Sequence, residues 1–145
     1  MNTVIIKYNA GNVRSVMYAL DRLGVNYSYT DSEEEIRGAD KVIFPGVGEA
    51  SSAMAYLKEK RLDRLIPSLR QPVLGTCVGM QLMCRYSEEG DTRCMGIFDV
   101  DVRRFPQQEG FKVPHMGWNS IFDYRTPLTG ELPENAYVYF VHSYM

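Results

Sequence analysis

The first half of the chain alternates between short apolar runs of strand length and stretches with helical spacing. This alternation constrains the fold more than any other feature. Residues 3–8, 25–30, 41–44 and 72–76 are the runs, the first and third rich in β-branched side chains. After the first comes the turn Asn9-Ala10-Gly11-Asn12, with Asn12 placed to cap a helix. Val13, Val16, Met17, Leu20 and Leu23 then share one helix face, and Gly24 ends it. Ala53, Met54 and Leu57 mark a helix after the third run. Leu62, Leu65, Ile66 and Leu69 repeat the spacing, with Pro67 breaking it, and residues 78–86 form a further apolar helix. Residues 31–38 are acidic and polar, so they are expected as a solvated turn, with Glu33, Glu34 and Glu35 on a solvated face. Strand and helix in this order predict an α/β fold: an open, mostly parallel sheet with helices on both faces.

The second half changes character. Residues 99–103 alternate with period two, residues 112–124 mix turn and strand signals around Gly117, and residues 137–141 form a last strand ending at His142. These predict an antiparallel extension within one domain covering residues 1–145. Composition narrows the function. Sixteen Lys and Arg against eighteen Asp and Glu leave a net charge of −2, without the basic excess of a nucleic-acid binder. No apolar run approaches the roughly 18 residues needed to span a membrane, and the opening residues do not resemble a signal peptide. Three cysteines fit a reducing cytoplasm better than a disulfide framework. The two histidines, His115 and His142, lie far apart and there is no Cys-x-x-Cys pair, so neither a metal nor another cofactor is expected.

The sharpest local feature is Gly75-Thr76-Cys77-Val78-Gly79, a Gly-x-nucleophile-x-Gly pattern between a strand and a helix. That is the context of a nucleophile elbow. The following helix would favour the thiolate, and the Val78 N–H would face an oxyanion on the attacked carbonyl. The alternative is Cys77 as a small buried apolar residue. Cys84, in the helix body, and Cys94, after a polar turn, are expected to be inert. Pro45-Gly46-Val47-Gly48 follows a strand at the edge where α/β sheets bind ligands, and reads equally as a plain turn. His142 at a strand end is expected to be a hydrogen-bonded structural residue, and His115 carries no acid/base signature. Trp118, with its apolar neighbours Val113 and Met116, reads as core or as an interface anchor, core being the default for an isolated domain.

Taken together, four motifs closely resemble the triad-type (class I) glutamine amidotransferases. They are Gly75-Thr76-Cys77-Val78-Gly79-Met80-Gln81, Pro45-Gly46-Val47-Gly48, Val113-Pro114-His115-Met116-Gly117-Trp118-Asn119 and Tyr139-Phe140-Val141-His142-Ser143-Tyr144. Within that family they resemble the branch serving imidazole glycerol phosphate synthesis in the histidine pathway. The resemblance implies a flavodoxin-like fold and hydrolysis of L-glutamine through a Cys77 thioester. It assigns oxyanion and glutamine contacts to Gly46, Val47, Gly48, Val78, Gln81, His142, Ser143 and Tyr144. It also implies a heterodimer with a (β/α)-barrel cyclase that receives the ammonia. Pro114, Met116, Trp118 and Asn119 would face that partner, with Trp118 as anchor.

One element of the family pattern is missing. The catalytic histidine and glutamate come from a His-Pro-Glu motif, and these 145 residues contain none. The chain is therefore expected to be an incomplete domain with little or no turnover alone. Three other readings stand beside this one. They are another amidotransferase of the class, a glutamine-binding or interaction module without catalysis, and a cysteine hydrolase or chaperone-like protein of similar fold.

Overall fold

Four parallel strands form the sheet that the alternation predicts: β1 (Thr3–Ile6), β2 (Tyr27–Thr30), β3 (Lys41–Phe44) and β4 (Val73–Gly75), ordered β2-β1-β3-β4. The structure is a computed structural model that describes every residue except Asn9, Ala10, Gly11, Phe111, Arg125 and Pro127. The expected turn at residues 9–11 lies outside the described residues. The described chain forms two compact units, Met1–Val102 and Arg103–Met145.

In the first unit every residue of β1 is buried. Successive strand side chains point to opposite faces, so both faces of the sheet are covered there. Val4, Ile6, Val42 and Phe44 join Leu57, Leu62, Leu65 and Leu82 in one apolar core. The helices between the strands are α1 (Val13–Arg22), α2 (Glu33–Gly38), α3 (Ala50–Glu59) and α4 (Leu62–Leu65). A 3-10 turn, Ile66–Ser68, carries Pro67 out of α4, as the proline requires. A further helix, α5 (Val78–Met83), follows β4.

Several expectations need correction. Asn12 precedes α1, but its side chain makes no capping hydrogen bond, and Leu23 is 74% exposed beyond the helix end. Residues 33–38 are a helix and not a turn. The Ser32 Oγ accepts the Glu35 N–H, and Glu33–Glu35 sit in the first turn, where the helix dipole favours negative charge. Ile36 is its one buried side chain, too little to show as a periodicity. The last predicted helix is shorter than expected. Cys84 is extended, with ψ 176°, so it terminates α5 rather than sitting inside it.

The chain then enters a small sheet of β5 (Tyr86–Ser87), β6 (Thr92–Arg93) and β7 (Asp101–Val102). β5 and β6 are antiparallel, whereas β7 pairs parallel with β5. Period-two patterning identifies a strand but not the direction of its partner.

The second unit is built on an antiparallel ribbon of β8 (His115–Ser120) and β9 (Tyr137–His142), in register from His115↔His142 to Ser120↔Tyr137. After β9 the chain pairs again. Arg103 and Met145 exchange both backbone hydrogen bonds, and the Phe105 N–H donates to the Ser143 carbonyl at 2.9 Å. Among the described residues, no helix is long and apolar enough to cross a membrane.

Candidate functional site

Parallel pairing of β3 with β4 sets Phe44 opposite Gly75, so the two strands end together. The segments that leave them, 45–49 and 76–79, therefore emerge side by side. The Thr76 N–H donates to the Phe44 carbonyl at 3.1 Å. A Cβ on Gly79 would lie 2.1 Å from the Phe44 oxygen, and one on Gly75 2.8 Å from the Met80 Cα. Only glycine lets the backbones approach this closely.

Cys77 sits at the apex with φ 53° and ψ −125°. A side chain held in this region stores strain of about 1–3 kcal/mol and is pinned there by its surroundings. Its thiol is exposed, which overturns the buried alternative. Val78 begins α5, so no carbonyl earlier in the helix can accept its N–H. Because α5 has six residues, its dipole is weaker than the longer predicted helix would supply. Gln81 lies one turn after Cys77 and its N–H donates to the Cys77 carbonyl at 3.2 Å. Its Oε1 is buried without a hydrogen-bond partner among the described residues. A buried acceptor of this kind calls for a hydrogen-bond donor.

The neighbouring segment is fastened at both ends. Before it, the buried Tyr8 hydroxyl donates to the Pro45 carbonyl. Burial, then the nearby Cys77 and Tyr29, raise the Tyr8 pKa well above the usual tyrosine range, so Tyr8 stays a donor. After it, the Ala50 N–H at the start of α3 donates to the Glu89 carboxylate at 3.2 Å. Between these ties lie Gly46, Val47 and Gly48, with Val47 40% exposed and Gly48 at φ 103°. Neither tie is visible in the sequence. Tyr8 only follows a strand, and Glu89 is one of two glutamates in a hairpin turn.

The other cysteines differ. Burial raises the Cys84 pKa, helped by Asp101, and pushes Cys94 up to about 11 with a further contribution from Cys84. Both are buried and remain thiols near neutrality. Among the described residues, no group of three or more His, Cys, Asp or Glu gathers to hold a metal.

In the second unit the ribbon has two unlike faces. Met116, Trp118, Tyr137, Tyr139 and Val141 share one face and are 53–69% exposed. Trp118 at 68% is not a core residue, and it meets Tyr139 edge-to-face at 5.6 Å. Asn119 and Pro114 are also exposed. Tyr137, Tyr139 and Val141 are given no interface role by the sequence; their alternation shows only that they share a strand face. The opposite face carries His115, Phe140 and His142, all half-buried. His115 Nδ1 lies 3.1 Å from His142 Nε2, and His142 Nδ1 lies 2.9 Å from the Tyr144 carbonyl. This is the hydrogen-bonded role expected of His142. A cleft of about 880 Å3 is lined by Phe105, Lys112, Val113, Pro114, His115 and Met145, with no cysteine, serine or threonine among its described lining residues.

The sequence model described as glutamine amidotransferase class-I matches residues 4–145. The chain belongs to the class-I glutamine amidotransferase family. Among relatives of this class-I amidotransferase chain is the imidazole glycerol phosphate synthase subunit HisH of Bacteroides fragilis strain YCH46. It is 59% identical over 145 residues, covering 99% of this chain and 74% of that one. The protein of the same name from Shewanella loihica is 40% identical over 153 residues, covering 99% and 68%. A crystal structure of a glutamine amidotransferase superposes with a TM-score of 0.67 at 19% identity, covering 97% of this chain and 71% of that one, a likeness of fold. The open, mostly parallel α/β architecture of this amidotransferase chain is thus that of its family.

Proposed function

We propose that this chain is the glutaminase subunit of an imidazole glycerol phosphate synthase, with Cys77 as its nucleophile. The strained, exposed Cys77 turn, packed against the end of β3 and its glycine segment, carries this reading. The name shared by the relatives supports the pathway.

The Cys77 Sγ attacks the side-chain carboxamide carbon of L-glutamine, and the C=O electron pair moves onto oxygen. The Val78 N–H and a reoriented Gly46–Val47 peptide stabilise that oxyanion. Collapse breaks the C–N bond, the proton given up by the Cys77 thiol is passed by an acid/base group to the nitrogen, which leaves as ammonia, and water hydrolyses the thioester to glutamate and free thiol. The orphaned Gln81 Oε1 supports a role as acceptor for the substrate's ammonium group, beside Gly48. His142, Ser143 and Tyr144 are assigned to glutamine binding from their motif alone. Expelling the amine calls for a positioned acid/base group, worth roughly 10²–10⁴-fold. Both nitrogens of His142 are already engaged, so His142 does not suit that part.

The ammonia passes to a (β/α)-barrel cyclase subunit in a heterodimer. The exposed apolar face of Met116, Trp118, Tyr139 and Val141 supports such a partner, because aromatic and methionine side chains concentrate at interface cores. A glutamine-like chloroketone tests the site. It should label Cys77 once per chain, glutamine should protect, and Cys77→Ala should abolish labelling. Labelling that glutamine leaves unchanged would favour a cysteine hydrolase of similar fold. With a purified cyclase of the histidine pathway, Trp118→Ala should weaken association at least tenfold. Unchanged association would remove Trp118 as anchor.

A further inference from the structure

The two histidines of this chain meet across the ribbon, at the register pair His115↔His142. Their chemistry follows from one fixed point. A carbonyl oxygen can only accept, so the contact to Tyr144 requires the proton of His142 to be on Nδ1. In neutral His142 the Nε2 is then an acceptor. The His115 nitrogen 3.1 Å away must therefore be a donor, so His115 also carries its proton on Nδ1. The result is a one-way relay: His115 Nδ1–H to His142 Nε2, and His142 Nδ1–H to the Tyr144 oxygen.

Two aromatic rings frame the relay. His115 stacks on Phe140 at 5.2 Å, and the Phe105 ring meets His142 edge-on at 4.9 Å. The Tyr144 carbonyl belongs to the segment already hydrogen-bonded to residues 103–105 through its neighbours Ser143 and Met145. Three backbone hydrogen bonds already join that segment to Arg103 and Phe105, and the side-chain relay adds a tie from Tyr144 back to β8.

We infer that His115 is a positioning residue for residues 142–144: by donating to His142 it selects the tautomer that holds the Tyr144 carbonyl. For glutamine binding this rests on the proposed role of those residues, whereas the relay itself does not. His115 lies next to Met116 on β8, so the ribbon proposed to meet the partner and the segment proposed to meet substrate share one chain of hydrogen bonds.

Long-range proton–nitrogen NMR spectra of the 15N-labelled chain, recorded above pH 8, read each imidazole directly. Both histidines are expected as the Nδ1–H form, and an Nε2–H form of His142 would overturn the inference. In His115→Phe the stacked ring is kept and the donor lost. His142 should then populate both tautomers, and amide exchange at Tyr144 and Met145 should quicken about tenfold relative to the rest of the chain. His115→Asn, which restores an N–H donor, should recover much of that protection. An unchanged His142 tautomer in His115→Phe would sink the proposal, and a merely structural His115 would raise exchange throughout. Glutamine titration separates the two readings. Weakened binding in His115→Phe, recovered in His115→Asn, supports positioning. No binding by the unmodified chain counts against the glutamine assignment of residues 142–144, while the tautomer result decides the relay.

Discussion

A Cβ on Gly46 would lie 2.2 Å from the backbone nitrogen of Gly79, although the two residues are 33 positions apart in sequence. The end of one strand and the start of the helix after its neighbour are in main-chain contact. Gly46→Ala should therefore cost about 3 kcal/mol, the upper end of overpacking, because the obstacle is backbone that cannot turn aside. Gly48→Ala meets open space and pays only for its positive φ, about 1 kcal/mol. Urea midpoints of the two variants check the ranking.

Tyr8→Phe removes the hydroxyl that donates to Pro45 and leaves a buried carbonyl without that partner. The expected loss is about 1–2 kcal/mol in urea unfolding. In a complex with the cyclase, the same variant should change glutamine hydrolysis, since the freed carbonyl opens the segment carrying Gly46 and Val47. An unchanged rate in a destabilised variant would confine Tyr8 to a structural role.

Iodoacetamide at neutral pH should modify Cys77 and spare Cys84 and Cys94, which are buried and held as thiols. Intact mass should rise by one adduct in the folded chain and by three after denaturation. A first adduct at Cys84 or Cys94, located by peptide mapping, would contradict the assignment of the reactive thiol.

Alkaline pH should destabilise the chain. The Cys94 thiol ionises near 9 when unfolded and at about 11 when folded. Its contribution is complete below pH 9 and is lost as the pH climbs toward 11, because the unfolded state releases its proton first. The fall in urea midpoint across that window should be shallower in Cys94→Ala. Tyr8, also raised by folding, adds a further loss at higher pH that remains in the variant.

The parallel sheet was legible because β1 and β3 are apolar runs followed by helical spacing, and Gly-x-Cys-x-Gly fell at the one strand-to-helix junction where it has chemical meaning. What stayed hidden follows from the same logic. The helix Glu33–Gly38 buries a single side chain, Ile36, so no periodicity announces it. The exposure of Trp118 depends on which face of the ribbon is covered, which alternation alone does not state. The His115–His142 relay joins residues 27 positions apart, and only the ribbon register brings them together.

The pairing of Phe44 with Gly75 sets the distance between nucleophile and glycine segment by a ladder of main-chain hydrogen bonds rather than by either loop. A slip of one residue between β3 and β4 would shift the two by about 3.3 Å, more than a hydrogen bond tolerates. Length changes around Lys60 and Arg61, in the crossover joining these strands, leave that distance untouched. An insertion at Thr76 moves Cys77 directly. Evolution and engineering can thus vary length at the exposed Lys60–Arg61 junction, while the few residues at the strand ends tolerate almost no change.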